Sequence, residues 1–237
     1  MNRTAKEAQD ALRAVADPKR APILQRFFKT GPGEYAEGDV FIGATVPQVR
    51  QHVKEFADLP LAEVKKLLRS KIHEERLLAL LIMVRQYQRG DEKAQDRIFR
   101  LYTTHLKWIN NWDLIDVTAP QIVGSHLSKC DLRAVLYEWA DSDDLWRRRL
   151  AIMSTLHFIK RNDFDDTLRL AEILLNDPHD LIHKAVGWML REIGNRDRSV
   201  EEHFLRKHYR KMPRTMLRYA IEKFPEGRRQ AFLKGRI

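Results

Sequence analysis

The chain has 237 residues, of which 43% are hydrophobic, ten are glycine and nine are proline, enough apolar material for a folded core and too few breakers for pervasive disorder. Its formal charge of +10 arises from 43 basic and 33 acidic residues spread along the whole sequence. This favours a folded basic face and an anionic partner, nucleic acid before acidic protein or membrane surface. Cys130 is the lone cysteine, which excludes an internal disulfide framework and fits a reducing compartment, and no run approaches the roughly 18 apolar residues of a membrane span.

Residues 1–20 carry charges throughout and lack the apolar stretch of a signal peptide, so a soluble, cytoplasmic protein with no membrane association is expected. Strand signals are weak, and helix starts are read in chain order from capping residues and first-turn prolines. These fall at Asp17-Pro18, Val46-Pro47, Leu59-Pro60, Asp131, Asn162 and Met212-Pro213. Between the first two, Gly31 to Asp39 is predicted to be a loop, because Gly31, Gly33 and Gly38 with Pro32 forbid a helix interior. The spacing of Leu77, Leu78, Leu81, Ile82 and Val84 predicts a helix with an apolar face.

A repeat emerges when four helices are aligned on an alanine: Ala79, Ala151, Ala185 and Ala220. The last three are 34 and 35 residues apart, and the first interval of 72 residues is twice a similar period, with a diverged unit centred near Asp116. That period belongs to two-helix solenoid units. The predicted fold is therefore all-α, a helical-repeat solenoid of about six units forming a single domain over 1–237, with second helices on a basic concave face. Arg76, Arg149, Lys184 and Arg218, just ahead of the alanines, are expected to form a stripe along that face. An ordinary solvated face is the bland alternative.

In Asn111-Trp112-Asp113-Leu114-Ile115-Asp116, Asn caps a helix and Asp113 favours the positive end of its dipole. Trp112 and Asp116 stand four apart, which sets an indole and a carboxylate side by side on one helical face. The alternative is a core tryptophan and a first-turn acid. A second tryptophan, Trp188, lies four residues after Lys184 and three before Arg191, next to Gly187. A mid-helix glycine costs roughly 1 kcal/mol relative to alanine, so either a ligand or a neighbouring helix passes close there. His179 and His183 share the four-residue spacing of a metal-binding pair but lack a third ligand, so no metal is expected. No phosphate-binding loop, dinucleotide fingerprint or nucleophile elbow occurs, and no nucleotide or other cofactor is expected.

The segments Phe41-Ile42-Gly43-Ala44-Thr45-Val46-Pro47-Gln48-Val49-Arg50, Trp112-Asp113-Leu114-Ile115-Asp116, Leu145-Trp146-Arg147-Arg148-Arg149 and Lys184-Ala185-Val186-Gly187-Trp188-Met189-Leu190-Arg191-Glu192 follow one another in this order. With them the chain resembles the AlkD-type DNA alkylation repair proteins, which implies that the helical-repeat solenoid is HEAT-like. The resemblance implies that Trp112 and Trp188 cradle the sugar of a damaged nucleotide and that Asp116 is the catalytic carboxylate. It implies DNA-backbone contacts for Arg149 and Arg191, with Arg148, Lys184 and Thr45 as further DNA-binding positions. It also implies excision of N3- and N7-alkylpurines from double-stranded DNA by a monomer, without metal, lyase chemistry or extrusion of the base. The sequence departs from the family pattern at His157, where a lysine can stand, and at Asp180 and Leu181, where aromatic residues can. A non-catalytic module binding branched or distorted DNA is the alternative, and a scaffold for acidic proteins is a third reading that leaves the tryptophans unexplained.

Overall fold

The computed structural model describes residues 3–130 and 132–237, and the predicted helix start at Asp131 lies outside them. The described residues are helical almost throughout, and their only extended pairing is a parallel bridge between Val40 and Ile72. No helix among them is long and apolar enough to cross a membrane. Contacts group the chain into two compact units, residues 1–118 and 119–237.

The first unit holds α1 (Ala5–Arg13), α2 (Ala21–Phe27), α3 (Val46–Glu55), α4 (Leu61–Leu68), α5 (His73–Arg89), α6 (Glu92–Thr104) and α7 (Trp112–Asp116). Helix α5 is its centre and packs on α3, α4, α6 and α7. Of the expected apolar face Leu77, Leu78 and Ile82 are buried, whereas Leu81 and Val84 are half-buried and Leu80 and Met83 fill the core beside them. Helix α3 begins at the predicted Val46-Pro47, with the Thr45 hydroxyl accepting from Gln48 N–H while the Gln48 side chain accepts from Thr45 N–H. Helix α4 begins just after Pro60. The glycine-rich segment 31–39 is loop and turn, as its composition predicts.

The second unit holds α8 (Ser125–Leu127), α9 (Ala134–Ala140), α10 (Leu145–Ser154), α11 (Leu156–Ile159), α12 (Asp165–Ile173), α13 (Asp180–Gly194), α14 (Arg198–His208), α15 (Arg214–Ala220) and α16 (Glu226–Leu233), with a π-helical turn over Pro120–Gly124. Sequential neighbours α9 and α10, then α12 and α13, pack together, and α10, α13 and α15 contact one another in succession as a helical repeat. Ala151, Ala185 and Ala220 are completely buried, so the alanine register marks where these helices approach.

Three expectations need correction. Asp17 starts a turn, accepting from Lys19 and Arg20 N–H, and α2 begins four residues later. Asn162 ends a helix instead of starting one: its φ is 60°, the left-handed conformation that stops propagation. The basic stripe is broken, because Arg76 and Arg149 are buried at 2% and 4% exposure whereas Arg218 is exposed. The four cations precede their alanines by three, two, one and two positions, and each position turns a helical side chain by about 100°.

Candidate functional site

Helix α7 is only five residues long, too short to be stable by itself, and its neighbours hold it. Asn111 caps it, its side-chain oxygen accepting from Trp112 N–H at 2.8 Å, while Leu114 and Ile115 are buried beneath it. Trp112 and Asp116 are both half-buried, one turn apart at the surface of the first unit.

Trp112 lies on an aromatic stack. Its ring packs face to face on Phe28, with centroids 5.2 Å apart and planes 19° apart, and Phe28 stacks in turn on Phe41 at 4.9 Å. Phe41 stacks on the His73 imidazole at 4.3 Å. Phe27 meets the Trp112 ring edge-on at 6.0 Å and is 62% exposed. Neither phenylalanine was singled out in the sequence, although an adjacent pair at the end of α2 is a visible signal.

Beneath the stack is an ionic network. His73 joins two carboxylates, with Nε2 2.8 Å from Asp113 Oδ2 and Nδ1 3.1 Å from Asp39 Oδ2. Arg76 donates to both oxygens of Asp39 at 2.7 Å and to the Ser70 carbonyl at 3.1 Å. Burial opposes charge on His73, yet the attraction and hydrogen bond of Asp113, with the bond from Asp39, outweigh it and raise the imidazole above its ordinary value. Asp39 is lowered: burial is the largest influence and opposes ionisation, but His73 and Arg76 together overcome it. The carboxylate that anchors α7 is thus Asp113, three residues before Asp116.

The loop preceding α3 is fastened to α5, the helix that carries His73 and Arg76. Glu74 accepts from Ile42 N–H at 3.1 Å and Gly43 N–H at 2.8 Å, and burial raises its carboxyl despite these bonds. Gly43 has φ +87°, and a Cβ there would lie 2.2 Å from the Asp17 carbonyl oxygen, so only glycine lets the two loops touch. Thr45 serves here as the α3 cap, half-buried, its hydroxyl 2.7 Å from Gln48 Oε1.

Asp116 contributes its charge to the floor of the site. Burial is the main cause that pushes the Tyr102 phenol far above its ordinary value; the bond from Thr118 opposes this, and the nearby Asp116 adds to it. Tyr102 and Thr118 share a hydrogen bond of 2.8 Å.

The remaining singled-out residues lie in the second unit. Trp188 is half-buried on α13 and donates from Nε1 to Glu192 at 2.9 Å. Arg191 pairs with Glu222, and Lys184 with Asp180 at 2.7 Å. Arg149 is buried and donates to the Leu181 carbonyl, whereas Arg148 pairs with the buried Asp177 at 2.6 Å and donates to the Ser142 and Asp143 carbonyls. Of the two readings of Gly187, helix packing applies: a Cβ there would lie 2.4 Å from the Met216 carbonyl oxygen and 2.6 Å from Tyr219 Cβ. His179 caps α13 by accepting from Leu181 N–H, and His183 bonds the Asp177 carbonyl, so both imidazoles serve the start of one helix. At the positions that depart from the family pattern, His157 lies 3.3 Å from the Ser128 hydroxyl and Asp180 is the partner of Lys184. Burial, with nearby cations, lowers His157 to about 4.

The first unit therefore presents a carboxylate and an indole on one short, firmly held helix, an arrangement suited to stabilising a developing positive charge. No curated protein matches the sequence. A structure titled as a predicted DNA alkylation repair enzyme from Enterococcus faecalis superposes with a TM-score of 0.70 at 17% identity, covering 89% of this chain and 97% of that one, and shares its fold. The family model for DNA alkylation repair enzymes matches residues 8–224, and the chain belongs to that family.

Proposed function

We propose that the protein is a monofunctional DNA glycosylase that hydrolyses the N-glycosidic bond of N3- and N7-alkylated purines in duplex DNA, leaving an abasic site. The observation that carries the proposal is Asp116 placed one turn from Trp112 on a helix that the Asp113–His73 bond holds in place. An N3- or N7-alkylpurine is already cationic and leaves readily, so the demanding part of the reaction is the sugar. As the bond lengthens, positive charge gathers at C1′, and in this reading Asp116 stabilises it beside the Trp112 ring, with Trp188 as a further aromatic contact to the DNA. At about 4 Å and an effective dielectric near 20, one carboxylate is worth on the order of 4 kcal/mol, roughly a thousandfold in rate. Asp116 also orients the attacking water, and the base is released without extrusion into a pocket.

Lys184 and Arg191 are proposed as phosphate contacts, with Thr45 on the first unit. Arg148 and Arg149 join them by sharing bonds they already make to Asp177 and Leu181. The protein acts as a monomer in this proposal.

Single-turnover excision from a duplex carrying one 7-methylguanine tests it. The parent releases free base at least about a hundredfold above spontaneous loss, and Asp116→Asn, which keeps shape and removes charge, loses most of that rate while binding the duplex normally. Salt-sensitive binding without release would replace the glycosylase reading with a module that binds distorted DNA.

A further inference from the structure

A second feature of the first unit is independent of the Asp116 helix. A groove of about 510 Å³ runs between α4 and the turn before α7, lined by Ala62, Lys65, Lys66, Arg69 and Trp108. Lys65, Lys66 and Arg69 are exposed on the last turns of α4. Lys107 adds a fourth cation, its ammonium 5.5 Å from the centre of the Trp108 ring. Glu63 neutralises Lys66 at 2.5 Å, whereas Lys65, Arg69 and Lys107 make no ion pair among the described residues.

The positive field of this cluster is visible in a neighbour. His105 is lowered from its ordinary value, first by burial and then by Lys65, Arg69 and Lys107, against a bond to the Leu101 carbonyl that works the other way. The Trp108 indole N–H is also buried with no acceptor in the protein. Three uncompensated cations around a groove wall made of an indole form a site for an anion that carries a flat ring. Neither property follows from folding: the cations repel one another, and the indole nitrogen forgoes a hydrogen bond.

We propose that this groove binds single-stranded nucleic acid, with one base stacked on Trp108 and the adjoining phosphates held by Lys65, Arg69 and Lys107. Basic residues beside an aromatic face are the common means of holding an unpaired strand without regard to sequence. A single strand is favoured over duplex because a base must leave its own stack to cover the indole. Lys107, whose ammonium lies over the Trp108 ring, turns to a phosphate as the base takes its place. The site requires neither Asp116 nor excision, so it stands or falls separately from the glycosylase proposal.

The probe is a fluorescein-labelled twelve-residue oligothymidylate titrated by anisotropy at several salt concentrations. Trp108→Ala is expected to weaken binding roughly tenfold, the worth of one stacked base, and Trp108→Phe to keep most of the affinity. Lys65→Glu/Arg69→Glu, confined to exposed positions, is expected to weaken binding and to reduce the log–log salt slope by about 1.4, two phosphates at roughly 0.7 each on a single strand. An oligomer of abasic deoxyribose phosphate is expected to bind the parent as weakly as oligothymidylate binds Trp108→Ala. Equal affinity of the parent for the abasic and thymine oligomers, or an unchanged salt slope in the double variant, overturns the proposal. Excision of 7-methylguanine from a short blunt duplex by the double variant stays at the parent rate.

Discussion

Against the opposition of burial and of the neighbouring Arg76, two carboxylates facing the buried His73 favour its charged form. Its raised value makes folding favour the charged imidazole, so this contribution is complete below the unfolded value near 6.5 and disappears as pH rises through the higher folded value. His73→Gln is therefore expected to cost about 3 kcal/mol at pH 6, the usual penalty for breaking a buried pair, and less as the pH is raised further above 6.5. Urea unfolding of parent and variant across that range checks the sign; a difference independent of pH would mean that His73 folds neutral. Glu201 makes the opposite case of a lone buried acid. It is 2% exposed against Gly194, with one oxygen lacking any partner, and burial raises it to about 8 from an ordinary 4.5. The folded state then holds a proton that the unfolded state gives up, so stability falls with rising pH between 4.5 and 8. Glu201→Gln removes that slope and is expected to add about 3 kcal/mol at pH 7. An unchanged slope in denaturation profiles would assign the pH dependence elsewhere.

At the scale of elements, the legible signals were those that act within one turn of chain. Val46-Pro47 opens a helix, and Leu59-Pro60 and Met212-Pro213 each directly precede one, because a proline's fixed φ and missing N–H suit a helix start wherever the rest of the protein lies. Asp17-Pro18 and Asn162 use the same residue types for a turn and a helix end, and only their neighbours distinguish those outcomes. The alanine register was readable for the same local reason, but the direction of each nearby cation depends on a one-residue offset. The network under α7 was not readable, since Asp39, His73 and Asp113 are 34 and 40 residues apart and meet only after folding. A run of four ionisable residues, His73 to Arg76, opening the longest helix among the described residues was its one trace in the sequence. Gly187 tests the packing reading. Alanine gains about 1 kcal/mol of helix propensity there, but its Cβ would meet the Met216 carbonyl oxygen at 2.4 Å, so α13 and α15 must separate. Gly187→Ala is expected to lower stability by about 2 kcal/mol net; a rise in the melting temperature would show that the contact yields easily.

Across the whole molecule the charge of +10 carried the sequence reading toward a polyanion, and family membership agrees with DNA, yet total charge does not tell which cations are available. Burial sorts them. Arg149 at 4% exposure and Arg148 against buried Asp177 already serve backbone carbonyls and a carboxylate, so truncating either leaves buried groups unsatisfied. Lys184 and Arg191 are paired with more exposed acids, in bridges worth at most about 1 kcal/mol, and can exchange them for phosphates at little cost. The two classes should therefore separate in two measurements on the same set of alanine variants. Arg148→Ala and Arg149→Ala are expected to lower the unfolding free energy by about 1–3 kcal/mol. Lys184→Ala and Arg191→Ala should change it by less than about 1 kcal/mol, while each reduces the log–log salt slope of duplex binding by roughly 0.9. If instead Lys184→Ala and Arg191→Ala leave the slope intact, the duplex does not meet α13, and the phosphate contacts belong to other cations among the 43.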